Sequence, residues 1–415
     1  MKRHAIILLV LILLGNPCSA YSVLTHEAVI DAAWESHIRP LLLKRFPNAT
    51  PEELKEAHAY VYGGCLIQDM GYVPFSSKTF SDFTHYVRSG DFVMSLIQGA
   101  QTLDEYAFAL GALAHYVSDH VGHPTVNRAT AVIYPKLRAK FGNVVTYEDS
   151  PPNHLKTEFS FDVTQVARGQ YAPDAYHDFI GFKVSKPAIE RAFQETYGIP
   201  IKDIFGTLDL AIGTYRFSVG TLVPEMTKAA WQSKRSDIQK LSPGITRSKF
   251  VYSLPRRKYE QEWDKEYHQP GWFARFLAFV FRLIPKFGPF KVMAFKRVPP
   301  DQEKAFLKSL DETVAQYRVR LTEVREERLN LPDLNLDTGK PTSPGEYRLA
   351  DQAYAKLLDH LAEHHFDNMP PALRKNILAF FDNSGKAGIS EKTARQLEEL
   401  KAKMSDNAPD EVAKK

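Results

Sequence analysis

Cysteine is scarce, because the 415 residues contain only Cys18 and Cys65. Cys18 lies in an amino-terminal segment that we predict to be removed, which leaves Cys65 alone in the mature chain. A single cysteine cannot form an intramolecular disulfide, so the disulfide-rich class of small secreted proteins is excluded. A mature chain of roughly 395 residues is long enough to be held by a large hydrophobic core instead, with bound metal as a further source of stability.

Long apolar runs are also lacking. The run from Ala5 to Leu14 is too short to span a bilayer, which requires about 20 apolar residues. It follows the basic start Lys2-Arg3 and is followed by small residues, a pattern typical of a secretory signal peptide over residues 1–20. We therefore expect export to a periplasm or out of the cell, with cleavage near Ala20 and a mature amino terminus at Tyr21. A lipoprotein interpretation of Cys18 is disfavoured, because Gly-Asn-Pro precedes it.

The chain lacks a strong excess of charge of either sign. Its 53 Lys and Arg residues nearly balance its 49 Asp and Glu residues, for a net charge of +4. Removal of Lys2 and Arg3 with the leader lowers this value to +2. Bulk charge therefore indicates no particular polyanionic partner.

Strand signals are scarce, and short β-branched runs such as Val144-Val145-Thr146 are more typical of loops. The patterning predicts helices over residues 26–43, 51–64, 103–121, 186–197, 203–218, 302–329, 346–382 (split at Pro370-Pro371) and 390–404. We predict an all-α fold with a multi-helix body over residues 21–252. A helical carboxy-terminal extension covers residues 301–404, within which 330–345 is a linker, and a disordered tail covers residues 405–415.

Residues 253–300 differ from the rest of the chain, because aromatic and basic side chains dominate them. The part from 271 to 296 contains the aromatic run around Trp272, interrupted by Arg275 and Arg282. Two interpretations stay open: an amphipathic helix lying on a lipid surface, or a core helix flanked by basic residues.

Chemistry-bearing residues are concentrated before residue 160. His115, Asp119 and His123 recur every four residues, so they project from one helix face, and we expect the helix to end near Gly122 and Pro124. His154 and Glu158 repeat the one-turn spacing. Imidazole nitrogens and carboxylate oxygens are ligands that zinc prefers. Each motif alone is also compatible with a metal-free polar face, but their joint occurrence favours a metal site.

Three further positions complete the pattern: His26 near the predicted terminus, Asp69 beside glycines after the second helix, and His85. In this order the residues resemble the zinc-dependent phospholipase C family, which also includes fungal single-strand nucleases and resembles part of glycosylphosphatidylinositol phospholipase D. The resemblance covers roughly residues 21–225 and implies a helical body around three zinc ions. The implied metal ligands are Tyr21 (through its amino group and carbonyl), His26, Asp69, His85, His115, Asp119, His123, His154 and Glu158.

The family resemblance also implies how these ligands are shared. Asp69, His85, His115 and Asp119 would hold one zinc; Asp119 would bridge to a second, which Tyr21 and His26 complete; His123, His154 and Glu158 would hold the third. Asp69 would in addition orient or deprotonate the attacking water. Tyr21 replaces the usual tryptophan, and the four-residue step from Asp119 to His123 is short for the family, which leaves His120 as an alternative third-site ligand.

The resemblance implies a zinc-dependent phosphodiester hydrolase, and we expect a phospholipase C that acts on phospholipid head groups through metal-activated water. The aromatic and basic segment 271–296 supports a lipid substrate. A single-strand nuclease is the alternative, with Tyr60, Tyr62, Tyr72 and Phe75 as candidates for base stacking. An exported zinc-binding protein without catalytic activity is the third interpretation.

Overall fold

The computed structural model describes residues 22–169, 182–219, 228, 231–232, 235–240, 242–251, 296–367, 369–383 and 390–406. Over these residues the fold is all-α, as predicted from the sequence. The strands in this part of the chain are two residues long each, β1 (Leu334–Asn335) and β2 (Lys340–Pro341), and they pair antiparallel. The predicted signal peptide, Tyr21, residues 252–295 and residues 407–415 lie outside the described part.

The helices follow one another along the whole described chain. The helices of the body are α1 (Val23–Ala33), α2 (Arg39–Arg45), α3 (Pro51–Gly64), α4 (Lys78–Tyr86), α5 (Ser89–Gly99), α6 (Leu103–Ile133), α7 (Pro135–Phe141), α8 (Pro151–Arg168), α9 (Lys186–Tyr197), α10 (Leu208–Phe217) and α11 (Arg247–Phe250). The carboxy-terminal helices are α12 (Pro300–Arg325), α13 (Arg348–Glu363), α14 (Pro371–Asn383) and α15 (Glu391–Asp406).

Most predicted helices are confirmed, with differences at their ends. The predicted helix 26–43 is α1 and α2 joined by a π-helical turn over Trp34–Ile38. The predicted helix 203–218 is shorter, because α10 begins at Leu208 after a 3₁₀ turn at Ile201–Asp203. The last helix, α15, runs to Asp406 and so includes the first two residues of the predicted tail. No helix in the described ranges is long and apolar enough to cross a membrane.

Helix α3 shows how local sequence sets an element boundary. Thr50 and Glu53 form a capping box, in which each side chain satisfies the backbone N–H of the other residue. Pro51 occupies the first turn, where a missing N–H costs nothing. The helix then ends at Gly64, directly before Cys65 and the 3₁₀ helix Ile67–Tyr72 that carries Asp69.

Helix α6 is the central helix, and α3, α12, α5, α8 and α1 all pack against it. Gly64 of α3 and Gly111 of α6 let the two helices approach closely, since a Cβ at Gly64 would overlap the Phe108 carbonyl and one at Gly111 would overlap the Val61 carbonyl. This close crossing brings the end of α3 against the middle of α6, where His115 lies.

The predicted end of α6 near Gly122 and Pro124 is wrong, because the helix continues to Ile133. Pro124 has no N–H to donate to the carbonyl of His120, four residues earlier. The backbone of Gly339, with φ of +70°, packs directly against that carbonyl, where a Cβ would overlap it. The helix is thus continued across the proline by tertiary contacts, and Asn127 joins the face that carries His123.

The carboxy-terminal extension packs on the body. Buried residues of α12 and α13 belong to the same hydrophobic core as those of α1 to α6 and α8 to α10, and the hydroxyl of Tyr317 donates to the carbonyl of Leu110 at 2.9 Å. The predicted split at Pro370-Pro371 is confirmed by the separate helices α13 and α14. Residues 330–345, predicted as a linker, contain the small hairpin and lie along the body.

Candidate metal centre

Eight of the nine predicted ligands converge on one buried region. They are His26 on α1, Asp69 on the 3₁₀ helix, His85 on α4, His115, Asp119 and His123 on α6, and His154 and Glu158 on α8. Asp69 is the most exposed of them, with 8% of its surface accessible, and the others are 2% exposed or less. The ninth, Tyr21, lies outside the described residues. Side chains from five helical elements therefore meet at one place in the interior.

The carboxylate of Asp119 lies at the centre of a first group of site residues, and its two oxygens point toward different histidines. Its Oδ1 lies 3.5 Å from His26 Nε2. Its Oδ2 lies 3.4 Å from His85 Nε2 and 3.1 Å from His115 Nε2. Asp69 closes the group, with its Oδ1 3.4 Å from His85 Nε2. A carboxylate with its two oxygens directed at different histidines has the arrangement that a bridge between two cations requires.

His123, His154 and Glu158 form a second group. Glu158 Oε1 lies 2.7 Å from His154 Nε2 and 4.0 Å from His123 Nε2. One donor atom from each of the three residues falls within 4.8 Å of the other two. His120 belongs to none of the groups of neighbouring donor atoms found among the described residues, and its Nδ1 contacts the carbonyl of Tyr116 at 2.7 Å, one turn back along α6. The structure therefore brings His123, and not His120, to the position predicted for the third site.

Backbone carbonyls orient two of the histidine rings. His85 Nδ1 lies 2.8 Å from the Ser81 carbonyl, and His115 Nδ1 lies 3.0 Å from the Cys65 carbonyl. Because a carbonyl oxygen can only accept, Nδ1 must carry the proton in each ring. The Nε2 lone pair of each ring is then free to bind a cation, which is how metal-ligating histidines are usually held.

Burial sets the protonation of the outer histidines. Burial, and then the neighbouring His115, lower the pKa of His26 to about 3. Burial, and then His123, lower the pKa of His154 to about 3. Burial also raises the pKa of Glu158 well above its usual value, with Asp69 contributing next. Both histidines are consequently neutral at physiological pH, which is the form that binds metal.

Many polar atoms of the two groups lie close to one another but form no hydrogen bond of suitable geometry among the described residues. They are both carboxylate oxygens of Asp69 and of Asp119, Nε2 of His123 and of His154, and Oε1 of Glu158. Each buried unsatisfied polar group costs about 1–3 kcal/mol, and native proteins avoid such groups. Nitrogen and oxygen donors in this number and spacing fit zinc, whose bonds would satisfy these atoms.

One further residue of the site was not predicted from the sequence. Asp337, in the carboxy-terminal extension, is fully buried, and its Oδ1 lies 3.1 Å from His123 Nδ1. Burial alone would raise the pKa of this carboxyl, but His123, with His85 and Tyr347, outweighs burial and holds the pKa well below its usual range. The local sequence gives no sign of this role, because Asp337 lies between Asn335 and Gly339 in a stretch typical of a turn.

The aromatic residues considered for base stacking do not form an open platform. Tyr62 is fully buried, and Tyr72 is 4% exposed. The ring of Tyr72 meets the ring of His85 edge-on, with 5.9 Å between centroids. Tyr60 and Phe75 are half-buried. Tyr72 thus packs beside the site, whereas Tyr62 packs in the core against His58 and Phe182.

The described part of the chain is thus an all-α protein with buried groups of histidines and carboxylates that could hold metal ions. Residues 25–206 match the family model described as zinc dependent phospholipase C. This match supports the predicted resemblance of the region to the zinc-dependent phospholipase C family, and it includes all eight described site residues. Asp337 lies outside it. No curated protein and no solved structure matched the chain.

Proposed function

We propose that the protein is a phospholipase C that hydrolyses the phosphodiester bond of phospholipid head groups with the help of three zinc ions. The observation that carries the proposal is the arrangement around Asp119, whose two oxygens face His26 on one side and His85 and His115 on the other. The match of residues 25–206 to the zinc dependent phospholipase C model supports zinc-dependent hydrolysis. The substrate and the number of ions are part of the proposal.

The two groups divide naturally among three ions. Asp69, His85, His115 and Asp119 would hold the first ion, and Asp119 would share the second with His26 and Tyr21. Donor atoms of His26, Asp69 and His115 also fall within 4.8 Å of one another, so the first two sites lie side by side. The group His123, His154 and Glu158 would hold the third ion.

The chemistry follows from the type of ion and from the position of Asp69. Zinc, when bound, supplies Lewis acidity toward phosphoryl oxygens and lowers the pKa of water to near neutrality. Asp69 is the most exposed residue of the set and has no hydrogen-bond partner among the described residues. In the proposed mechanism Asp69 would orient an incoming water and accept its proton.

A lipid substrate is favoured over a nucleic acid by two observations. Segment 271–296 has the aromatic and basic composition of an interfacial helix, and it lies outside the described residues apart from Lys296. Tyr62 and Tyr72, which a nuclease would need on an open face for base stacking, are buried.

One assay series tests the proposed function. The purified mature protein, loaded with zinc, is incubated separately with vesicles of phosphatidylcholine, vesicles of phosphatidylinositol and single-stranded DNA. We expect release of a phosphorylated head group and of diacylglycerol from one of the lipids, loss of activity with a zinc chelator, and loss of activity in Asp119→Asn. Cleavage of DNA without lipid hydrolysis would show a nuclease. A zinc-loaded protein that hydrolyses none of these would be the non-catalytic alternative.

A second experiment addresses membrane contact. We propose that residues 271–296 bind the surface of the substrate bilayer. Deletion of this segment should reduce sedimentation with phospholipid vesicles more than it reduces hydrolysis of a soluble phosphodiester. Equal loss of both would favour the core-helix interpretation.

A further inference from the structure

A segment of the carboxy-terminal extension, residues 331–341, crosses the body beside the metal centre, and we call it the strap. The hydroxyl of Tyr116 donates to the carbonyl of Pro332 at 2.7 Å. Ser89 donates to the carbonyl of Leu334 at 2.6 Å and accepts the N–H of Leu334 at 3.0 Å. The strap is thus fastened to α6 and to the first residue of α5.

The strap also caps the amino end of α5 and contacts His85, one of the proposed ligands. Asp333 Oδ1 accepts the backbone N–H groups of Gly90 and Asp91 at 3.1 Å each, in the first turn of α5. The N–H of Leu336 donates to the carbonyl of His85 at 3.1 Å. These contacts fix the backbone before Asp337, and the packing of Gly339 against the His120 carbonyl fixes it after Asp337.

Asp337 makes contacts through both carboxylate oxygens and through its backbone carbonyl. Its Oδ2 accepts the hydroxyls of Tyr86 at 2.8 Å and Tyr347 at 2.5 Å. Its backbone carbonyl accepts the side-chain amide of Asn127 at 2.9 Å. Its remaining oxygen, Oδ1, lies 3.1 Å from His123 Nδ1. Two tyrosine hydroxyls therefore donate to Oδ2, and Oδ1 faces the imidazole ring of His123.

This arrangement argues against Asp337 as a direct ligand and for an effect through His123. Asp337 contacts Nδ1, whereas the Nε2 atom of the same ring faces Glu158 at 4.0 Å. A carboxylate behind a ligating imidazole fixes the tautomer and orientation of the ring and raises its basicity. His85 and His115 have backbone carbonyls in this position, so His123 alone of these three has a charged partner.

We propose that Asp337 is a positioning residue of the third zinc site, and that the strap thereby completes a centre whose other described residues lie within the family match. The inference rests on the proposed function, because it requires zinc at His123, His154 and Glu158. It adds that residues outside 25–206 take part in metal binding. Loss of such a partner typically weakens metal affinity about 10–100-fold.

The test compares three variants of the full mature chain with the wild type. Asp337→Asn keeps the shape of the side chain and removes its charge, and Asp337→Ala removes the contact. Asp333→Asn is the matched control, since it alters another carboxylate of the same strap, a half-buried one that touches no proposed ligand. Zinc per chain is measured by elemental analysis after dialysis against a graded series of chelator concentrations. The visible absorption of the cobalt-substituted proteins is recorded in parallel.

The expected result is that Asp337→Asn and Asp337→Ala release about one zinc per chain at roughly 10–100-fold lower chelator strength than the wild type. Asp333→Asn should release zinc as the wild type does. The cobalt spectrum should change in the Asp337 variants alone. If Asp337→Ala does not fold, Asp337→Asn decides the question.

Two outcomes would overturn the inference. Wild-type zinc retention and an unchanged cobalt spectrum in Asp337→Asn would show that Asp337 only supports the fold. Equal zinc loss in Asp337→Asn and Asp333→Asn would assign the effect to the docking of the strap. Failure of the proposed function is seen separately, as a wild-type protein that binds less than one zinc.

Discussion

The Nδ1 atom of His115 lies 3.0 Å from the backbone carbonyl of Cys65, which directs the Nε2 atom of the ring at Asp119. Cys65 follows the end of α3, whereas His115 lies in the middle of α6. The contact therefore exists only because the two helices cross at Gly64 and Gly111 without intervening side chains. The geometry of the candidate metal centre therefore depends on the close packing of α3 and α6 at two glycines that are not themselves proposed ligands.

Substitution of Gly111 by alanine should disrupt this crossing. The added Cβ would overlap the carbonyl oxygen of Val61, which is backbone and cannot rotate away. Overpacking of this kind typically costs about 1–3 kcal/mol, and the shift of α3 would move Cys65 away from His115. We expect a lower urea midpoint and a lower zinc content.

Gly213→Ala is the control for the glycine prediction. Gly213 lies inside α10, and nothing is within 4 Å of the position its Cβ would take. Alanine should stabilise this helix by about 0.5–1 kcal/mol through its higher helix propensity, with no change in zinc content. Similar behaviour of the two variants would contradict the importance of the close crossing.

The histidines of α6 provide a second prediction. His123→Ala should remove one zinc per chain, because His123 contributes to the group with His154 and Glu158. His120→Ala should retain the wild-type zinc content, since His120 belongs to none of the described groups of donor atoms that could hold a metal ion. Elemental analysis of the two purified variants decides this, and zinc loss in His120→Ala would reverse the assignment.

Asp333 provides a prediction on pH. Burial, and then the neighbouring Asp91, raise the pKa of Asp333 to about 6, whereas an unfolded aspartate has a pKa near 3.9. The folded protein then binds the proton more tightly, so stability from this group is present below pH 4 and is lost as pH rises through 6.

Asp333→Asn should remove this dependence without removing the cap. The Asn Oδ1 can still accept the N–H groups of Gly90 and Asp91, which both bind Oδ1 in the wild type. We expect the stability of the variant relative to the wild type to increase between pH 4 and pH 7, by up to about 2–3 kcal/mol. Urea denaturation of both proteins at each pH measures this. A difference that does not vary with pH would show that Asp333 is ionised throughout.

The spacing of residues along α6 and α8 was sufficient to predict two rows of side chains that face one buried region, because one-turn spacing on a helix fixes a common face. The sequence was not sufficient for the end of α6, since Pro124 is accommodated by Gly339, a residue far along the chain. Asp337 was missed for the same reason. Its burial and its contact with His123 arise from tertiary docking of the strap, and an aspartate in a turn-rich segment carries no local sign of either.

The amino terminus of α1 supports a final prediction, on the proposed ligand Tyr21. Asp162 of α8 accepts the Thr25 hydroxyl at 2.6 Å and the Leu24 N–H at 3.1 Å, and it thereby fixes the first turn of the helix that carries His26. With α1 held in this way, the predicted mature chain has only Tyr21 and Ser22 before the helix. One additional glycine before Tyr21 would move the free amino group by up to about 3.6 Å.

A ligand atom displaced by this distance cannot bind the same ion, so the extended protein should lose about one zinc per chain and most of its activity. The matched variant is the same chain without the added glycine, released by cleavage directly before Tyr21. Asp162→Ala should also weaken zinc binding, but with a loss of stability of about 0.5–2 kcal/mol, because it removes the acceptor that caps α1. A glycine-extended protein with full zinc content would show that the amino group at Tyr21 is not a ligand, and the second ion would then be held by His26 and Asp119 without it.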